Sequence, residues 1–278
     1  MANFSAADVK RLREATGAGM MDCKNALTGA DGNFDAAVEA LRLKGVKDAG
    51  KRATRTAGNG LVVADLDGTS AGVLVEVNCE TDFVAKNEGF KEVAAKIAKA
   101  ALASKAADKL ALLAAEAEAG KTVEQLIEEA NSSIKEKIEL GRYARLEGGY
   151  VTSYMHKSDP DLPPTLGVLL QLDKENDQVA KDVSQQIAAM RPQYTTRDEV
   201  PADVVDKERR IAEQITRDEG KPEQAIGKIV EGRVGAFFKE IVLTEQPFVK
   251  EPKKTVAKVA EAAGVTIVGF ARFQVGQA

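Results

Sequence analysis

The chain has no tryptophan, a single histidine (His156) and only two cysteines (Cys23 and Cys79) among 278 residues. Each scarcity excludes something. A structural zinc site takes four well-spaced ligands, and three scattered ones do not supply it, so no metal is expected. Two cysteines in unlike contexts make no disulfide framework, and both are expected to be reduced. A nucleophile built from Cys79 or Cys23 with His156 as base would have no glycine-rich oxyanion or phosphate motif beside it. Neither catalytic residues nor a cofactor are therefore expected. Long apolar runs are missing as well: nothing approaches the roughly 20 residues that span a bilayer. The opening MANFSAADVK has no apolar signal-peptide core. A cytoplasmic protein with no membrane partner is the expectation. With a net charge of -4, counterion release from a nucleic-acid backbone is no evident driving force, which argues against a direct nucleic-acid partner.

What is present is ordinary globular composition, 44% hydrophobic and 29% charged, in a chain long enough for two or three cores. The pattern begins with a three-helix unit over residues 1–50. Ser5 and Asp8 suggest a variant capping box, Gly17 suits a left-handed helix end, and a second helix follows over about Met20–Leu27. After the turn ADGN, Phe34, Ala37, Val38 and Leu41 recur at helical spacing. So small a unit buries little surface and leaves room for a partner-facing groove. Lysines and arginines crowd GVKDAGKRATRTAGNG, whose glycines predict a linker at 51–60.

Laying the chain on itself exposes an internal repeat at a constant offset of 95 residues. GVLVEVNCETDFVAK begins at Gly72 and GVLLQLDKENDQVAK at Gly167. Aliphatic and β-branched residues precede each copy, predicting a strand that pairs back on the strand within it. Helices are then expected from Glu88 to Ser104, with Phe90, Val93, Ala94, Ile97 and Ala101 on one face, and from the second copy to Met190. Ala106 to Lys137 predicts two helices broken at Gly120, with Thr122 as cap. Val204, Glu208, Ile211 and Ile215, then Ile226, Val230, Val234, Phe237 and Ile241, predict an antiparallel helical hairpin with an apolar seam. A helix over about Thr255–Ala263 and a strand in VTIVGFARFQV close the chain. The predicted fold is α+β: a three-helix module, a duplicated β-hairpin/helix core with antiparallel sheets (61–147 and 148–278), and a coiled-coil arm inserted at about 199–242. Whether such an arm closes on itself or dimerises, sequence leaves open.

The two copies share Asp82/Asp177 and the following VAK but differ at Phe83/Gln178. Burying a phenylalanine stabilises by roughly 1.5 to 3 kcal/mol, so one held out on a loop gains by entering a partner. In the competing reading, Phe83 turns inward and Asp82 merely caps the next helix.

TGAGMMDCKNAL (Thr16 to Leu27) and EVNCETDFVAKN (Glu76 to Asn87) are long, idiosyncratic strings. Through them the chain resembles the family of bacterial elongation factor Ts, the guanine-nucleotide exchange factor for elongation factor Tu. The resemblance runs from the first residues to about Gly276. It implies that the N-terminal module is ubiquitin-associated-like. It also implies that the partner is elongation factor Tu, GDP-bound or nucleotide-free, in a homodimer or heterotetramer if copies associate. By the same resemblance Thr81, Asp82, Phe83 and Val84 enter the partner beside its magnesium and phosphate site, while Met20, Lys24 and His156 lie near the interface. The resemblance departs at IKEKIELGR, where family members often carry a glycine and a paired arginine; contacts made there do not carry over. The rival class is a scaffold, whose N-terminal module binds a helix and whose arm dimerises, leaving Phe83 dispensable.

Overall fold

A computed structural model of the chain describes residues 3–16, 18–52, 54–157, 159 and 161–277, with the backbone alone at 45–52. It is α+β. Three helices open it: α1 (Ala6–Thr16), α2 (Met20–Gly29) and α3 (Phe34–Arg52). Ser5 N–H donates to Asp8 Oδ2 at 2.8 Å and Asp8 N–H returns to Ser5 Oγ at 3.3 Å, a reciprocal cap that satisfies two otherwise orphaned donors. Leu12, Cys23, Leu27 and Ala37 are buried between the helices, with Phe34, Val38 and Leu41 against them. Helix α3 continues to Arg52, into the stretch expected as linker; Gly17 lies outside the described residues, as do most side chains of the basic cluster.

The first copy of the repeat lies in β1 (Asn59–Asp67), β2 (Ala71–Cys79), α4 (Asp82–Lys86) and α5 (Glu88–Ser104). There follow α6 (Lys109–Ala114), β3 (Glu116–Glu118), β4 (Lys121–Thr122), α7 (Val123–Ile134) and β5 (Glu139–Glu147). The two helices expected over 106–137 are there, but a short hairpin, β3–β4, separates them. Gly120 turns it with φ +75°, and Thr122 and Gln125 form a complete capping box at α7. Strand β5 was not foreseen. The second copy lies in β6 (Tyr150–His156), β7 (Leu166–Leu172) and α8 (Asp177–Met190). Next come α9 (Ala202–Asp218), α10 (Glu223–Ile241), the hairpin β8 (Pro247–Phe248) and β9 (Glu251–Thr255), α11 (Val256–Ala262) and β10 (Ile267–Gln274).

Two antiparallel three-stranded sheets result, ordered β1-β2-β5 and β10-β7-β6, with the repeated strands β2 and β7 central in each. Successive side chains on a strand point to opposite faces. Val73, Val75 and Val77 pack with Phe90, Ala94, Ile97 and Ala101 of α5, and Leu166, Val168, Leu170 and Leu172 with Val179, Val183 and Ile187 of α8. The alternate residues Leu74 and Leu169 meet Val62, Val151 and Phe273 in a cluster shared by both sheets. With both faces buried, β2 and β7 are near-continuous apolar runs. The contact is reciprocal: a Cβ on Gly72 would lie 2.9 Å from Leu169 Cδ1, and one on Gly167 3.0 Å from Leu74 Cδ1.

Helices α9 and α10 form the pair expected over 199–242, but the face of α9 differs from the sequence reading. Ala212 and Thr216 are buried against α10, whereas Ile211 and Ile215 stand exposed. Small side chains at 212 and 216 let α10 approach, and the Thr216 hydroxyl is satisfied by donating to Ala212 O at 2.6 Å. On α10, Ile226, Val230 and Val234 are buried as expected, with Phe238 deeper than Phe237.

Candidate functional site

The site grows from the end of β2. Cys79 is buried there, its thiol donating to Thr81 O at 3.2 Å. The segment expected as a loop, Thr81-Asp82-Phe83-Val84, is instead a cap and the start of a helix. Thr81 is extended (φ -125°, ψ 156°), and its Oγ1 accepts from Val84 N–H at 3.3 Å, so the cap is Thr81 and not Asp82. Asn87 ends α4 and caps α5, accepting from Gly89 N–H at 2.8 Å. In the second copy Asn176 caps α8 at the position matching Thr81. There Asp182, matching Asn87, lies inside one unbroken helix. The asparagine therefore divides in the first copy what is continuous in the second.

Within this single turn the side chains diverge. Ala85 is buried and Val84 packs against the first core, while Phe83 is 79% exposed. The inward-turned reading of Phe83 is thereby excluded. Asp82 is half-buried, 3.5 Å from Lys86 at i+4. In the matching positions of the second copy, Asp177 accepts from the Tyr150 hydroxyl and Gln178 donates to Asp182 at 2.9 Å.

The turn after α7 grips this segment. Glu136 Oε2 accepts from Thr81 N–H at 3.0 Å and Glu136 Oε1 from the Thr81 hydroxyl at 2.7 Å. Lys137 N–H donates to Glu80 Oε1 at 2.6 Å, and Arg55 reaches the same carboxylate at 3.2 Å. This gives one member of the basic cluster a structural purpose. Lys135 joins the N-terminal module: its Nζ lies 3.2 Å from Asp22 Oδ2, while Lys44 holds Asp22 Oδ1 at 2.5 Å. Those contacts pull the Asp22 carboxyl below its usual range, the Lys44 hydrogen bond foremost, against the opposing effect of burial. The Cys79 thiol moves the other way, pushed up to about 12 by burial and by the negative charge of Glu136. A thiol so raised is a poor nucleophile.

On α2, Met20 and Met21 are 61% and 64% exposed and Lys24 is also exposed, while Cys23 is in the core. The turn 135–137 thus brings α2 and α4 to one place. His156 is elsewhere: it ends β6, exposed, with Tyr154 Oη 3.0 Å from its Nδ1. Among the described residues no hydrogen bond or ion pair joins it to α2 or α4. Sequence reasoning singled out neither Asp22, Asn87 nor Glu136. No sequence signal pointed to them, because the segment they support is expected as a loop and nothing in IKEKIELGR says what that stretch touches.

Among the described residues no three His, Cys, Asp or Glu side chains gather as a metal-binding group, and no helix is long and apolar enough to cross a membrane. Fold and site together define an α+β protein whose repeated core has one specialised copy, in which a capped helical turn holds an aromatic side chain out from the surface. Residues 80–277 match the family model for elongation factor Ts. The chain is 62% identical over 278 residues to elongation factor Ts of Thermobifida fusca, covering both chains fully, and 60% identical over 277 residues to that of Acidothermus cellulolyticus, again with full coverage. Elongation factor Ts of Streptomyces coelicolor is 56% identical over 277 residues, covering 99% of this chain and all of the relative. The chain belongs to the elongation factor Ts family.

Proposed function

We propose that this protein is a guanine-nucleotide exchange factor for elongation factor Tu, acting in the cytoplasm without a covalent step. One observation carries the reading: Phe83 stands 79% exposed on a turn whose neighbours Val84 and Ala85 are anchored in the core. A large apolar side chain held out on an anchored support loses little further freedom on binding and gains its full burial. In the proposed complex Thr81, Asp82, Phe83 and Val84 enter the partner beside its magnesium and phosphate site. GDP there is held by phosphate-loop amides, a lysine and the metal, so a wedge that displaces elements around the ion removes the largest local charge holding the phosphates.

Linkage makes the effect reciprocal: the exchange factor weakens GDP by the factor by which GDP weakens it. A thousandfold loosening requires about 4 kcal/mol of differential binding, more than one phenylalanine supplies. A second contact is therefore part of the proposal. Met20 and Lys24, exposed on α2, supply it, and His156 extends the interface from the second sheet. Residues 1–50 act as the ubiquitin-associated-like module, 61–147 and 148–278 as the two core subdomains, and about 199–242 as the coiled-coil arm.

The test is release of fluorescent GDP from elongation factor Tu, in excess unlabelled GDP with magnesium, by catalytic amounts of this protein. The wild type should accelerate release, and Phe83→Ala should lose roughly ten- to hundredfold of that acceleration. No acceleration by the wild type overturns the function. Full activity in the variant overturns the wedge alone, whereas no acceleration by the wild type favours the scaffold reading.

A further inference from the structure

Helix α4 has five residues, far too few to persist on their own cap and propensity. Its N-terminus is fixed by a relay of three hydrogen bonds. The Glu136 carboxylate takes both protons Thr81 offers, from its backbone N–H (3.0 Å) and its hydroxyl (2.7 Å). With its proton committed to Glu136, the hydroxyl can only turn a lone pair toward Val84 N–H, which it meets at 3.3 Å. A hydroxyl rotor that would otherwise choose between donating and accepting is thereby locked as an acceptor. The two bonds to the carboxylate are charge-assisted, the stronger kind.

Glu136 is itself held from both sides. Lys135, with φ +71°, closes α7 and donates its N–H to Asn131 O at 3.2 Å. Asn131 brackets Ile138, accepting from its N–H at 2.6 Å and donating to its carbonyl at 3.0 Å. Between them, Lys137 N–H is bonded to Glu80. The carboxylate therefore stands on a clamped turn, not on a free loop. The second copy needs no such support, because Asn176 caps a fourteen-residue helix, α8.

We propose that Glu136 is a positioning residue for Phe83: it locks the Thr81 cap, holds the α4 turn formed, and so sets the direction in which the exposed ring is presented. The consequence for exchange rests on the function proposed above, whereas the locking of α4 does not.

The experiment has two arms. In the first, amide hydrogen exchange is followed in the full-length protein alone, for wild type, Glu136→Ala and Glu136→Gln. Val84, Ala85 and Lys86 amides should exchange about tenfold or more faster in Glu136→Ala. In Glu136→Gln, which keeps one acceptor oxygen, they should lie between, with α5 amides unchanged in both. Should the alanine form fail to fold, the glutamine form decides. Unchanged α4 exchange, or acceleration spread equally through α5 and the sheet, overturns the inference whatever the protein's function.

The second arm is GDP release from elongation factor Tu. Glu136→Ala should cost about tenfold in the wild-type background and less than twofold in a Phe83→Ala background, because residues acting through one another are not additive. A full additional tenfold loss would mean that Glu136 acts independently of the ring, and overturns the positioning role. If the wild type accelerates nothing, the functional proposal falls while the first arm still stands.

Discussion

Phe83 and Cys79 lie four residues apart and meet opposite environments, the ring in solvent and the thiol in the core. A raised thiol pKa means that the fold favours the neutral form. Its contribution to stability is complete below the ordinary thiol value near 9 and is lost as pH rises toward about 12. Native Cys79 should therefore alkylate with iodoacetamide at pH 8 more than a hundredfold slower than after unfolding. Mass spectrometry of the modified peptide over time checks this, and rapid native labelling would reopen the nucleophile reading. At this scale Phe83 was legible because the repeat supplied a comparison: the matching residue is Gln178. Glu136 was not, because its meaning lies in a contact 55 residues away that follows no spacing rule.

Elements were legible where they carry their own signal. The Ser5/Asp8 cap, Thr122 as the cap of α7, the face of α5 and the C-terminal end of α8 follow from local chemistry and helical periodicity. Two-residue strands such as β4 and β8 have no periodicity to display, and appeared only in the structure. The arm shows a subtler failure. Hydrophobicity placed Ile211 and Ile215 in the seam, yet close helix approach selected the smaller Ala212 and Thr216. Overpacking a filled contact costs about 1 to 3 kcal/mol, so Ala212→Leu should destabilise the protein by that much, while Ile211→Ala should stay within about 0.5 kcal/mol. Denaturant titration of both variants checks the assignment, and the reverse order would restore the sequence-based seam.

For the whole molecule the decisive contact is between the two sheets. Each copy of the repeat places a glycine opposite the other's leucine, Gly72 to Leu169 and Gly167 to Leu74. Arg142 adds a polar tie, with Nε 2.6 Å from the buried Glu76 carboxylate and Nη2 donating to Gln274 O at 2.7 Å, its guanidinium over the Phe273 ring. This is the use of Arg142 in IKEKIELGR, where the family resemblance gave no guidance. A methyl group at either glycine must displace side-chain ends that are already packed. Gly72→Ala and Gly167→Ala should each destabilise by about 1 to 3 kcal/mol. Equal midpoints for wild type and both variants in thermal unfolding would show that the sheets do not pack this closely.

The sequence by itself determined what is local or repeated: the α+β class, the caps of α1 and α7, the periods of the longer helices, the offset of 95 residues, and the singularity of Phe83. These are set by backbone propensity, side-chain spacing and self-comparison, which require no knowledge of distant neighbours. The tertiary structure alone decided which face of α9 is buried, that β5 completes the first sheet, and that the turn at 135–137 joins α2 to α4. The reason is physical. Burial of a given side chain, and the partner of a given carboxylate, depend on which surfaces close-pack once the chain has folded, and residues far apart along the chain meet only then.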